Sequence, residues 1–78
     1  MTQKIRPGIY QHYKGKEYLV YEVCRHSETE EELVVYRTLY GDYGLWVRPY
    51  PMFVEDVVVD GKTVPRFKWL RDAEKTSL

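Results

Sequence analysis

Seventy-eight residues, with twelve basic and twelve acidic side chains, make one small and electrically balanced domain. The balance excludes affinity driven by bulk neutralisation of phosphate, although a local basic face is compatible with it. The lone Cys24 cannot close an internal disulfide, and with two distant histidines it makes no structural zinc set, so stability has to come from packing. The supply is adequate: 44% of the residues are apolar and 15% aromatic, with eight tyrosines and two tryptophans. A tyrosine buries a large ring while its hydroxyl stays wet, which suits a thin core. No apolar run reaches the length of a membrane span, and residues 1–4 lead into no signal-peptide core. With one unpaired cysteine, the expected setting is the cytoplasm, away from membranes and without a cofactor, as a monomer or weak homodimer.

Residues 1–7 are polar and end in the turn signal Arg6-Pro7-Gly8. Residues 8–13 alternate as a first strand, and Lys14-Gly15-Lys16-Glu17 supplies a tight turn. Residues 18–25 form a second strand whose alternation is imperfect, which predicts a bulge near Glu22 or burial on both faces. Residues 33–40 give the clearest strand: with Arg37 outward, Val34, Tyr36, Thr38 and Tyr40 point inward. Gly41-Asp42-Tyr43-Gly44 turns the chain into a strand over 45–48, with Leu45 and Val47 on one face, expected to line the core, and Trp46 and Arg48 on the other, facing outward. Pro49 and Pro51 stop that strand, and 52–55 fit a single helical turn. Val57 to Val59, the Asp60-Gly61 turn and a strand over 63–69 read as a hairpin, with Phe67 and Trp69 facing away from Arg66 and Lys68.

Five to six short strands with one helical turn predict an all-β domain over 8–70, with flexible termini at 1–7 and 71–78. A small barrel of the Src-homology-3 kind, or a rolled antiparallel sheet, protects edges that an open meander exposes. An oligonucleotide-binding barrel fits less well, since no segment supplies its helix.

Several blocks point to a known group of proteins: Gly8-x-Tyr10-x-His12-Tyr13-Lys14-Gly15, the run from Arg25 to Thr29, Val34-Val35-Tyr36-Arg37-x-Leu39-Tyr40-Gly41, Leu45-Trp46-Val47-Arg48-Pro49, and Phe53-x-Glu55 with Gly61 and Val64-Pro65-Arg66-Phe67. Through them the chain resembles, from about residue 8 to residue 69, a family of short, mostly bacterial proteins classed as a domain of unknown function. The resemblance implies a compact all-β fold and no assigned reaction.

Two constellations could carry function. The first is Arg25-His26-Ser27-Glu28-Thr29, which gathers a guanidinium, an imidazole, two hydroxyls and a carboxylate. Adjacent residues on an extended chain face opposite ways, which counts against a Ser27–His26 nucleophile pair and leaves His26 with Glu28 as the same-face couple. The structural alternative is a hairpin loop whose Ser27 and Thr29 hydroxyls satisfy backbone amides, with His26 packed on a tyrosine. The second is Trp46 with Arg48, joined by Arg66 and Arg25: an aromatic among guanidiniums, suited to a stacked ring and an anion. Here the alternative is a Trp46 that covers the barrel end and an Arg48 that pairs with a carboxylate such as Glu55. A metal held by His12 and His26 would need a third ligand, such as Cys24 or Glu28, that no spacing specifies, so none is expected.

The reading that follows is a small binding module for a polar or anionic ligand (a nucleotide, a nucleic acid or an acidic peptide) using Arg25, His26, Glu28, Trp46, Arg48 and Arg66. The alternatives are a hydrolytic or transfer enzyme built on His26 and Glu28, and an interaction domain that pairs through a strand edge.

Overall fold

The structure is a computed structural model that describes residues 5–73. In chain order it contains β1 (Gly8–His12), β2 (Glu17–Arg25), β3 (Glu32–Thr38), β4 (Leu45–Pro49), the short helix α1 (Tyr50–Val54), β5 (Asp56–Val59), β6 (Lys62–Pro65) and β7 (Phe67–Arg71). Five strands form one antiparallel sheet in the order β4-β3-β2-β1-β7, and β5 and β6 form a separate hairpin.

Turn chemistry fixes the registers. Between β1 and β2, the His12 N–H donates to the Lys16 carbonyl at 2.8 Å and the Gly15 N–H to the His12 carbonyl at 2.7 Å, with Gly15 at φ 113°. Asp60 and Gly61 hold φ values of 51° and 78°, the paired positive angles of a tight two-residue hairpin turn. The register of β2 against β3 slips between Val20 and Glu22, so the bulge falls at Tyr21. It explains the broken alternation: Tyr18 and Val20 face the core before it, and Val23 packs on the core after it. On β3, Val34, Tyr36 and Thr38 are buried and Arg37 faces away, as the sequence predicts.

Two local expectations are corrected. The run 63–69 is two strands, for a total of seven: β6 stops at Pro65, which offers no amide to a ladder, and the Arg66 N–H turns to the Glu55 carbonyl at 3.1 Å. The chain then leaves the hairpin and β7 pairs with β1. On β4, Leu45 and Val47 do not line the core. Trp46 stands directly across from Tyr36 and Arg48 across from Val34, and residues opposite each other in an antiparallel pair share a face. Leu45 and Val47 therefore lie on the outer side, 57% and 53% exposed. An edge strand takes its orientation from its one neighbour, and β3 commits its most buried side chains to the other face.

Among the described residues β4 and β7 are the outer strands of the five-stranded sheet, which fits the rolled form of the two expected. The roll is tight all the same. The Arg48 guanidinium of β4 sits 5.3 Å from the centre of the Phe67 ring of β7. Beneath them, Phe53 of α1 stacks on Phe67 at 4.2 Å with an angle of 3° and meets the edge of Tyr10 at 5.4 Å. Ile5 joins this core, and the Arg6 guanidinium covers the Trp69 ring at 3.7 Å. Gly8 has φ +144°, and a Cβ there would meet the Arg71 carbonyl and the Trp69 indole nitrogen at 2.6 Å, so only glycine fits where β1 crosses β7. The ends expected to be flexible lie, at 1–4 and 74–78, outside the described residues. Among the described residues, no helix is long and apolar enough to cross a membrane.

Candidate functional site

At the end of the β2–β3 pair nearest the β3–β4 turn, the inner face of the sheet opens into a groove of about 350 Å³. Tyr18, Tyr36 and Thr38 make its floor, Tyr40 and the turn residues Gly41 and Asp42 one side, and Trp46 and Arg48 the other. The pairings Tyr18 with Thr38 and Tyr36 with Trp46 bring these residues from three strands to one place. The Tyr18 ring meets those of Tyr36 and Tyr40 edge-on at 5.5 and 5.6 Å, and the two hydroxyls of Tyr18 and Tyr40 are bonded at 2.9 Å. Burial, then the hydrogen bond to Tyr40, pushes the Tyr18 hydroxyl far above the usual tyrosine range, so it stays neutral.

The electrostatics are cationic at the β4 end. Arg48 Nε is buried and has no hydrogen-bond partner, and none of the ion pairs among the described residues involves Arg48. Leaving such a donor unmade costs about 1–3 kcal/mol. Arg66 Nε is likewise without a partner, while its terminal nitrogen bonds Glu55 Oε1 at 2.7 Å. Glu55, the example of a carboxylate partner in the structural alternative for Arg48, pairs with Arg66. His12 lies edge-on to Phe67 at 5.0 Å. Partial burial first, then the charges of Arg48, Arg66 and Lys14, hold its pKa below the ordinary histidine value. The Lys16 ammonium stands 4.7 Å from the Tyr40 ring. An aromatic trough beside a half-buried guanidinium that none of these ion pairs engages can take a flat ring by stacking and an anion by charge-assisted hydrogen bonds.

Of the residues singled out from the sequence, Trp46 and Arg48 line this groove, and Arg66 acts on the same histidine as Arg48. Arg25, His26 and Glu28 lie at the other end of the β2–β3 pair, in and beside the connecting loop. There His26 Nδ1 accepts the backbone N–H groups of Glu28 and Thr29 at 3.1 and 3.3 Å, and the Thr29 hydroxyl accepts the Glu31 N–H at 3.1 Å. Ser27 donates to Glu28 Oε2 at 3.1 Å rather than to His26, and Arg25 reaches Glu30 at 3.8 Å. His12, Tyr18, Tyr36, Tyr40 and Asp42 belong to the groove region and are not among the six candidate binding residues read from the sequence. The signal existed in the parity of β3: Tyr36, Thr38 and Tyr40 follow one face, and the turn at 41–44 returns Trp46 and Arg48 onto it. Among the described residues, no group of three or more His, Cys, Asp or Glu side chains could hold a metal ion.

None of the curated proteins matches the chain. Among solved structures, it is similar to the crystal structure of a DUF1653 protein from Bordetella bronchiseptica, with 36% sequence identity, a TM-score of 0.81, and coverage of 91% of this chain and 94% of that one. Residues 8–69 match the family described as "Protein of unknown function (DUF1653)", in agreement with the resemblance carried by the sequence blocks. The chain belongs to the DUF1653 family.

Proposed function

We propose that this domain is a binding module without chemistry of its own, which takes an anionic ligand bearing a flat ring into the groove between Tyr40 and Trp46. The observation that carries this reading is Arg48: its Nε is buried without a partner, beside an indole that is 55% exposed. A half-buried cation that none of the ion pairs among the described residues engages gains from an anion brought to its accessible side, and a ring stacked on Trp46 adds about 1–3 kcal/mol. Arg66 and His12 extend the cationic surface next to it. A hydrolytic role for His26 and Glu28 lacks comparable support, because His26 Nδ1 is occupied by its own loop and neither residue lines the groove.

The test is titration with nucleoside monophosphates, short single strands of RNA and DNA, an acidic peptide and inorganic phosphate, followed by tryptophan fluorescence and by NMR of the Trp46 indole and Arg48 guanidinium. Binding should shift both, and Arg48→Met should weaken it by at least about tenfold, the loss of one charge-assisted contact. The same variant should leave the fold as stable or slightly more so, since it removes an unsatisfied buried donor and keeps an apolar stem over Phe67. If Trp46 and Arg48 stay silent through the whole panel, the groove is not a ligand site.

A further inference from the structure

The groove is not uniformly cationic. A guanidinium stands at one end and a carboxylate at the other, with the Lys16 ammonium over the Tyr40 ring on the carboxylate side, and that placement narrows the ligand. Arg48 marks one end, with Arg66 and His12 beyond it. Asp42 marks the other, in the turn that precedes β4. Trp46 lies between, one two-residue step from Arg48, which is about 7 Å along a strand. The nitrogen-bearing edge of its indole is turned toward the acid: a methyl group placed on Gly44 would stand 3.1 Å from Trp46 Nε1 and 3.3 Å from Asp42 Oδ1. Asp42 Oδ1 accepts the Gly44 N–H at 3.2 Å, and none of the ion pairs among the described residues engages this carboxylate. An ionised carboxylate has about four acceptor positions, so most of the capacity of this exposed side chain is unspent.

An acidic peptide would answer Arg48 and then meet repulsion from Asp42, and bare phosphate would leave Trp46 and Asp42 unused. The complementary ligand has an anion at one end, a flat ring in the middle and N–H donors at the far edge. We infer that the site, if it binds as proposed above, takes a single nucleotide or the terminal nucleotide of a strand, and that Asp42 reads the base and favours guanine. Guanine alone among the common bases presents adjacent ring N–H and amino donors on one edge, a match for both oxygens of a carboxylate. Adenine and cytosine offer an amino group beside a ring acceptor. Uracil offers one N–H flanked by two carbonyl oxygens that Asp42 would repel. The volume, about 350 Å³, lies in the range of a small-molecule site and leaves no room for a duplex.

The experiment is quenching of Trp46 fluorescence by GMP, IMP, AMP, CMP and UMP, with Trp69→Phe as the background so that one indole reports. GMP should bind at least about tenfold tighter than AMP or UMP, the value of one good paired-donor contact, with IMP between because it lacks the amino group. In Asp42→Asn the side-chain oxygen still accepts from Gly44, so the turn is retained while the charge is lost. That variant should bring GMP down to the level of AMP and leave the dependence on Arg48 intact. Equal affinity for all five nucleotides, or a guanine preference that survives Asp42→Asn, overturns the assignment to Asp42 while the anion site stands. Absence of quenching by every nucleotide, with no effect of Arg48→Met, overturns the assignment together with the reading beneath it.

Discussion

The two ends of the β2–β3 pair make an instructive contrast. At one end, the loop around Arg25 to Thr29 concentrates polar chemistry in consecutive residues; at the other, a groove assembles Trp46, Arg48, Asp42 and three tyrosines from β2, β3, β4 and the β3–β4 connection. In the loop, polar groups are spent on one another. His26 holds two backbone amides, Thr29 holds a third, Ser27 donates to Glu28, and Arg25 leans toward Glu30. In the groove, a guanidinium nitrogen is buried without a partner and an indole is half exposed. What marks a surface for binding is the hydrogen-bonding and stacking capacity the fold leaves unused, and density of polar residues in the sequence measures something else. The contrast can be broken or sharpened by experiments that act on one end at a time.

The largest effect is expected beneath the groove. Phe53 is 1% exposed, lies flat on Phe67 and touches the edge of Tyr10. Phe53→Ala should destabilise the domain by about 3–5 kcal/mol, read from denaturant unfolding, because so small a core cannot collapse around the cavity. The groove should loosen with it, since Phe67 supports Arg48. A loss below about 1 kcal/mol would mean that α1 is not part of the core that shapes the site.

At the loop end the effect should be smaller and purely structural. His26→Ala removes the acceptor for two backbone amides on an exposed turn, for which about 1 kcal/mol is the scale of a lost cap. Ligand affinity at the groove should be unchanged by it. Affinity that falls along with stability in His26→Ala, but not in a control of equal stability loss, would tie the two ends together and undo the contrast.

Legibility from sequence follows the same division. The strands, the turns at Gly15 and at Asp60-Gly61, the bulge in β2 and the inward face of β3 could all be read, because each rests on local backbone chemistry or a period of two. The break at Arg66 does not show in a pattern that runs on through Pro65 from 63 to 69, and the partner of β7 is β1, more than fifty residues away in the chain. The orientation of β4 was missed for a related reason. Leu45 and Val47 are more aliphatic than Trp46 and Arg48, so pattern alone turns the strand over, and only its pairing with β3 rights it. The pair Trp46 and Arg48 was legible as chemistry, but their role as one side of a groove was not. That depends on Tyr18 and Tyr40, whose approach across the β2–β3 pair is a tertiary fact.

The smallest effect is the most local reporter of the cationic end. The Lys14 N–H donates to His12 Nδ1 at 3.1 Å, and burial with the charges of Arg48, Arg66 and Lys14 holds the imidazole pKa below its ordinary value of 6.5. As pH falls, the unfolded chain therefore takes up this proton before the folded one does. The contribution of His12 to stability is complete above the ordinary histidine pKa and is lost progressively as pH drops through the lower, folded value. An anion seated at Arg48 offsets the largest of the charges responsible, so ligand should raise the His12 pKa, and binding should tighten modestly as pH falls through that window. NMR titration of the His12 ring with and without nucleotide reads this directly, and the His26 ring, at the far end of the same strands, should not respond to ligand at all. A His12 curve that stays in place at saturating ligand would put the anion somewhere other than the Arg48 end, and with it remove the reason for reading the groove as polarised.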